Sequence, residues 1–115
     1  MNGSESSKQT LSILYVDDEP ALLDAAKLYL EHTGNLSVTK CDNAADALKI
    51  LSELKFDAII SDYQMPECDG ITFLRRLRER RDNTPFIIFT GKGREEVVID
   101  ALNLWRHYSV GNIEF

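Results

Sequence analysis

Short apolar runs alternate along this chain with longer stretches in which apolar residues recur at spacings of three and four. The runs are Leu11–Val16, Leu36–Thr39, Ala58–Ile60 and Phe86–Phe89, with a weaker one at Tyr108–Val110, and they are rich in the β-branched and aromatic residues that favour strands. Between them Leu23, Ala26 and Leu30 share one helical face, as do Ala44, Ala47, Leu48 and Leu51, then Phe73, Leu74 and Leu77, then Val97, Val98, Ala101 and Leu102. Strands alternating with helices in this way predict an α/β protein, its parallel strands joined by crossover helices. The punctuation agrees. Pro20 stands near the start of the first helix and Gly34 just past its end; Asn43 is placed to cap the second, Asp69-Gly70 precedes the third, and Pro85 opens the fourth strand.

A chain of 115 residues suits one domain with one core, here residues 11–115. Residues 1–10 are polar, rich in Ser and without the apolar stretch of a secretory signal, so they read as a disordered leader on a cytoplasmic protein. No apolar run approaches the length of a membrane span. Thirteen Lys and Arg against nineteen Asp and Glu give a net charge of −6, which argues against phosphate-mediated grip on nucleic acid. Cys41 and Cys68 have no Cys or His at metal spacing, and two thiols in a well-cored domain read as reduced and partly buried.

In an open parallel sheet ligands gather beyond the carboxyl ends of the strands. There this sequence places Asp17-Asp18-Glu19 after the first run, Ser61-Asp62 after the third and Thr90-Gly91 after the fourth. Carboxylates brought together raise one another's pKa unless a cation sits among them, and an oxygen-seeking ion that keeps several waters fits Mg²⁺.

Taken in order, Val16-Asp17-Asp18-Glu19-Pro20, Ser61-Asp62-Tyr63-Gln64-Met65-Pro66, Asp69-Gly70 and Phe89-Thr90-Gly91 resemble the response-regulator receiver family of two-component signalling, over Leu11 to about Leu102. The resemblance implies a doubly wound, flavodoxin-like parallel sheet of five strands in the order 2-1-3-4-5. It implies that Asp62 accepts a phosphoryl group from a histidine kinase. Asp17 and Asp18 would hold Mg²⁺ with Asp62 and the backbone carbonyl of Gln64, and the Thr90 hydroxyl would act as the switch. Gly91 and Gly93 would then let the following loop rearrange.

Plainer roles exist for these residues one at a time. Asp18 is equally well placed to cap the first helix, Asp62 to form a turn, and Thr90 to end a strand. Gly91-Lys92-Gly93 lacks the first Gly and the final Ser or Thr of a phosphate loop, which argues against a nucleotide site. His32 and His107 read as surface residues, and the run Arg75, Arg76, Arg78, Arg80, Arg81 as a solvated helix face.

The C-terminal part departs from the family. Counting without gaps from Thr90, the Lys that the family carries at the carboxyl end of the fifth strand falls at Asn112, and the switch aromatic falls at Ser109, one residue from Tyr108. Lys92 is the nearest alternative cation. A receiver that stops at Phe115 is expected to lack the family's fifth helix, so an apolar strip on the third to fifth strands is expected to lie open, containing either Phe86 and Ile88 or Ile87 and Phe89. Such a strip predicts atypical packing of Trp105 to Phe115 or a homodimer formed through this region. The abrupt break near Leu104 is the pattern that a shifted reading frame or a truncated gene leaves. Two other readings follow: a pseudo-receiver that serves only as a binding surface, favoured by the missing Lys, and an aspartyl-phosphatase-like or flavodoxin-like enzyme. The enzyme reading lacks the second Asp two residues beyond a catalytic one.

Overall fold

A computed structural model describes residues 10–89 and 112–114. The elements are β1 (Leu11–Val16), α1 (Pro20–Thr33), β2 (Leu36–Cys41), α2 (Ala44–Leu51), β3 (Ala58–Asp62), α3 (Gly70–Glu79), β4 (Phe86–Phe89) and a short β5 (Asn112–Glu114). The strands form one parallel sheet in the order β2-β1-β3-β4-β5, as expected for a flavodoxin-like fold. Among the described residues no helix is long and apolar enough to cross a membrane.

Strand alternation divides the core into two layers. Ile13, Tyr15, Ala58, Ile60 and Ile87 meet Leu23, Ala26 and Leu30 of α1 on one face. Leu14, Val16, Ile59, Phe86 and Ile88 meet Ala44, Ala47 and Leu51 of α2 and Phe73 and Leu77 of α3 on the other. Phe73 packs edge-on against Phe86, with ring centroids 5.1 Å apart. β1 and β3 are covered on both sides over most of their length, which is why Ile13–Val16 and Ala58–Ile60 are unbroken apolar runs.

The helix boundaries follow the local chemistry. Asn43 accepts the Asp46 N–H at 2.7 Å and Asp69 the Thr72 N–H at 2.8 Å, capping α2 and α3. At α1 the structure corrects the sequence reading: the N-cap position is Glu19, without a side-chain cap bond, so Asp18 does not cap this helix. Pro20 begins α1, where its missing N–H costs nothing. β2 and β3 each run two residues beyond their apolar runs, because pairing with β1 and β4 continues through Lys40-Cys41 and Ser61-Asp62.

β2 lies at the sheet's edge, and α1 covers part of it. The Glu31 carboxylate accepts the Val38 N–H at 2.8 Å, and the Lys27 ammonium donates to the Val38 carbonyl at 2.6 Å and to Glu31 at 3.0 Å. Backbone groups that would otherwise invite a foreign strand are thereby occupied. The Val38 N–H, together with Lys27, holds the Glu31 carboxyl below its ordinary pKa.

Three further expectations need correction. Phe86, Ile87 and Ile88 are all buried, so the strip expected to lie open is covered at these residues. The Arg run is only partly a solvated face: the Arg78 guanidinium donates to the carbonyls of Asp82 and Thr84 at 2.8 and 2.9 Å, and Arg80 donates to the Leu48 carbonyl at 3.0 Å. Asn112 is not at the carboxyl end of the last strand, because the β5 register sets it beside Phe86, the first residue of β4. The strand candidate Tyr108–Val110 and the helical face from Val97 to Leu102 lie outside the described residues. Cys41 is buried, Cys68 is half-buried and both are free; His32 is exposed.

Candidate functional site

The site is built by the register of two adjacent strands. Val16 of β1 stands opposite Ser61 of β3, so Asp17 and Asp62 follow as neighbours at the same end of the sheet. Tyr15 and Ile60 both belong to the α1 layer, and alternation carries Asp17 and Asp62, two residues on, to that same side. The end of β1 is tied to β2 by the Asp17 N–H, which donates to the Cys41 carbonyl at 3.1 Å. The Asp17 carboxylate accepts the Glu19 N–H at 3.0 Å, turning the chain from strand into helix.

Asp17 and Asp62 are buried, at 0% and 7% exposure, whereas Asp18 stands at the rim in contact with solvent. Each of the three offers a carboxylate oxygen, and these oxygens all lie within 4.8 Å of one another. Two unit charges at that separation repel by about 3 kcal/mol at an effective dielectric constant of about 20. Burial adds to the cost of keeping them charged, and both costs fall when a divalent cation is shared. The donor set is all carboxylate oxygen with an open side, which suits a hard ion that keeps water ligands and so fits Mg²⁺.

Beside the carboxylates opens a cleft of about 590 Å³, lined by Asp18, Glu19, Asp62, Gln64, Met65 and Asp69 among others. Gln64, expected to offer its backbone carbonyl, is among the residues lining this cleft. Asp69 also reaches the cleft, but its carboxylate is committed to capping α3; the Thr72 N–H, then the Thr72 hydroxyl, hold its pKa below the ordinary value. Thr90, Gly91 and Lys92 lie outside the described residues.

The loop between Asp62 and α3 is tightly closed. Gly70 donates its N–H to the Tyr63 carbonyl at 2.8 Å, and the Cys68 N–H reaches the Pro66 carbonyl at 2.7 Å around Glu67, whose φ is 70°. A left-handed Glu is a strained position, of the kind that persists only where its surroundings fix it. The Ser61 hydroxyl donates to the Asp62 carbonyl at 2.9 Å inside the protein. A Cβ on Gly70 would lie 2.7 Å from that same carbonyl oxygen and 3.2 Å from the Tyr63 Cα. Gly70 therefore sets how closely α3 approaches Asp62, a role the sequence analysis did not assign. The signal was there in outline, a Gly at a helix start where most residues would serve better.

Comparison with known proteins identifies the family and supports the fold. A family model, the response regulator receiver domain, matches residues 13–108, and the chain belongs to that family. It is 34% identical over 92 residues to the transcriptional regulatory protein FixJ of Bradyrhizobium diazoefficiens, covering 80% of this chain and 44% of that protein. It is 36% identical over 87 residues to the response regulator Rre1 of a Synechocystis species, covering 74% of this chain and 38% of that protein. Among solved structures, the receiver domain of a signal transduction histidine kinase from Syntrophus aciditrophicus has a TM-score of 0.69 at 30% identity, covering 91% of this chain and 76% of that one. The crystal structure of FixJ-N has a TM-score of 0.69 at 25% identity, covering 92% of this chain and 82% of that one. The chain spans less than half the length of these curated relatives.

Proposed function

We propose that this chain accepts a phosphoryl group on Asp62 from a histidine kinase and relays the event as a conformational change. The observation that carries the proposal is the meeting of Asp17, Asp18 and Asp62 within 4.8 Å beside an open cleft. An Asp62 carboxylate oxygen attacks phosphorus as the bond to the donor's imidazole nitrogen breaks, leaving an acyl phosphate on Asp62 and a free histidine on the kinase. Asp17, Asp18, Asp62 and the Gln64 carbonyl would hold Mg²⁺. Bound there, the ion would neutralise charge on the phosphoryl oxygens, the dominant demand of such a transfer. The buried walls around Asp17 and Asp62 fix the nucleophile, and the open side admits the donor. Thr90 is assigned the switch hydroxyl from the family motif. We assign the domain to residues 11–115, place the protein in the cytoplasm and regard it as a signalling domain whose only chemistry is on itself.

The test uses the whole chain with a small phosphodonor and Mg²⁺, followed by intact mass. One phosphoryl adduct is expected, absent in Asp62→Asn and absent when the metal is chelated. A chain that takes no adduct while remaining folded would instead be a pseudo-receiver, and the proposal would fail.

A further inference from the structure

We propose that the opposite pole of the sheet carries a second docking surface, fitted to an acidic peptide segment with a large apolar side chain, presented by a partner protein. It lies at the start of β3, four residues and thus roughly 13 Å from Asp62 at that strand's end. A cleft of about 440 Å³ opens there between the α2–β3 connection and the end of α3. Its apolar side is formed by Leu51, Leu54 and Phe56, and Leu54 is 57% exposed, one of three large apolar side chains left so open in the described residues. Lys55, Arg80 and Arg81 stand around it, all exposed.

The charge at this cleft runs against the chain's net −6. Among the described residues Asp82 is the only acid that lines it, and that carboxylate is already engaged by the Thr84 N–H at 3.0 Å and the Thr84 hydroxyl. Three cations therefore face one carboxylate whose acceptor capacity is partly used. Arg80 spends one donor on the Leu48 carbonyl, which steadies the guanidinium and leaves its other N–H groups for a ligand. Arg81 is the most telling residue. It follows the C-cap of α3 with φ 62°, a position where Gly is the unstrained choice, so a cation stands here against the backbone's preference. A solvated helix end explains an exposed Arg; it does not explain a left-handed Arg beside an exposed Leu and a second and third cation.

Complementarity decides the occupant. Carboxylates would pair with Arg80, Arg81 and Lys55 while an apolar side chain covers Leu54 and Phe56, and the small area predicts a transient complex. The inference rests on the fold alone and is independent of whether Asp62 is phosphorylated.

The test is fluorescence anisotropy with the whole unphosphorylated chain and a short fluorescein-labelled peptide of Glu and Asp around a central Leu-Phe pair. The control is the same peptide with both apolar residues replaced by Ser. Binding of the Leu-Phe peptide is expected to weaken with added salt. It should fall roughly ten-fold in Leu54→Ser and roughly five-fold in Lys55→Glu/Arg81→Gly. Because Gly suits the φ of residue 81, that double variant keeps its fold, checked by an unchanged far-ultraviolet spectrum and thermal midpoint. Equal binding of the two peptides, or wild-type affinity in both folded variants, would overturn the proposal. So would light scattering that shows the chain associating with itself through these same residues, since the occupant would then be a second copy.

Discussion

Replacing Gly70 by Ala tests whether the approach of α3 to β3 fixes the geometry of Asp62. The added Cβ would lie 2.7 Å from the Asp62 carbonyl oxygen, where ordinary contact begins near 3.4 Å, so the start of α3 must retreat by about 0.7 Å. All three of the nearest atoms belong to backbone, and no side-chain rotation can relieve the clash. Overpacking of this kind costs about 1–3 kcal/mol, offset in part by Ala's better helix propensity, worth up to about 1 kcal/mol. A net loss of about 1–2 kcal/mol should lower the thermal midpoint by about 5–10 °C for a domain of this size. The effect on chemistry is larger in proportion. A displacement of about 1 Å in a reacting group can cost on the order of a hundred-fold in rate, so adduct formation in Gly70→Ala should slow by roughly ten-fold or more. Thermal melting by circular dichroism and time-resolved intact mass with a small phosphodonor give the two readouts. Gly34→Ala is the control, because its Cβ would meet the movable side chain of Leu36 and lies far from Asp62 in the fold. A Gly70→Ala protein that melts at or above the wild-type midpoint and is phosphorylated at the wild-type rate would refute the reasoning.

Three other outcomes follow from the described contacts. Asp17→Asn should raise stability in chelator by relieving repulsion among the three carboxylates, and should abolish most of the stabilisation that Mg²⁺ gives the wild type, as read from melting with and without the ion. Glu31 has a depressed pKa in the folded state, so its contribution is present above the ordinary value of about 4.5 and is lost as pH falls through the folded value. At 35% side-chain exposure that contribution is discounted to about 0.5 kcal/mol, and the stability difference between wild type and Glu31→Gln should shrink on acidification; a difference that grows would contradict the sign. Arg78→Met should destabilise by about 2 kcal/mol in urea titration, since it removes two charge-assisted bonds that hold the turn from α3 to β4.

The strands that carry the site were legible because they are buried on both faces. Leu11–Val16 and Phe86–Phe89 are apolar runs with no competing period, and their limits in the structure match the runs. Asp17 could be placed because it directly follows such a run, and Asp62 because it stands two residues past the run Ala58–Ile60. Asp18 was harder to read: an Asp before Glu-Pro fits a cap equally well, and only the observed turn, with Glu19 at the cap position and Asp17 accepting its N–H, separates the roles. The Arg residues were misjudged because nothing in a sequence says that Arg78 will fold back onto carbonyls four and six residues ahead. Asn112 was misplaced by counting without gaps, since strand register is a tertiary property that chain length alone does not set. Gly70 was recognised as helix punctuation, while its contact with Asp62 depends on the closure of the intervening loop.

The pairing of Val16 with Ser61 makes the β1–β3 ladder a ruler for the acidic residues. Deleting one residue inside either strand would rotate its acid to the reverse side of the sheet and separate the carboxylates, even if the hydrophobic layers could be repacked. Adding a residue to the connection around Ser52 to Asp57 would leave both strand ends where they are. Length variation among functional descendants of such a chain is thereby confined to its connecting segments, while these two strands must keep their residue count.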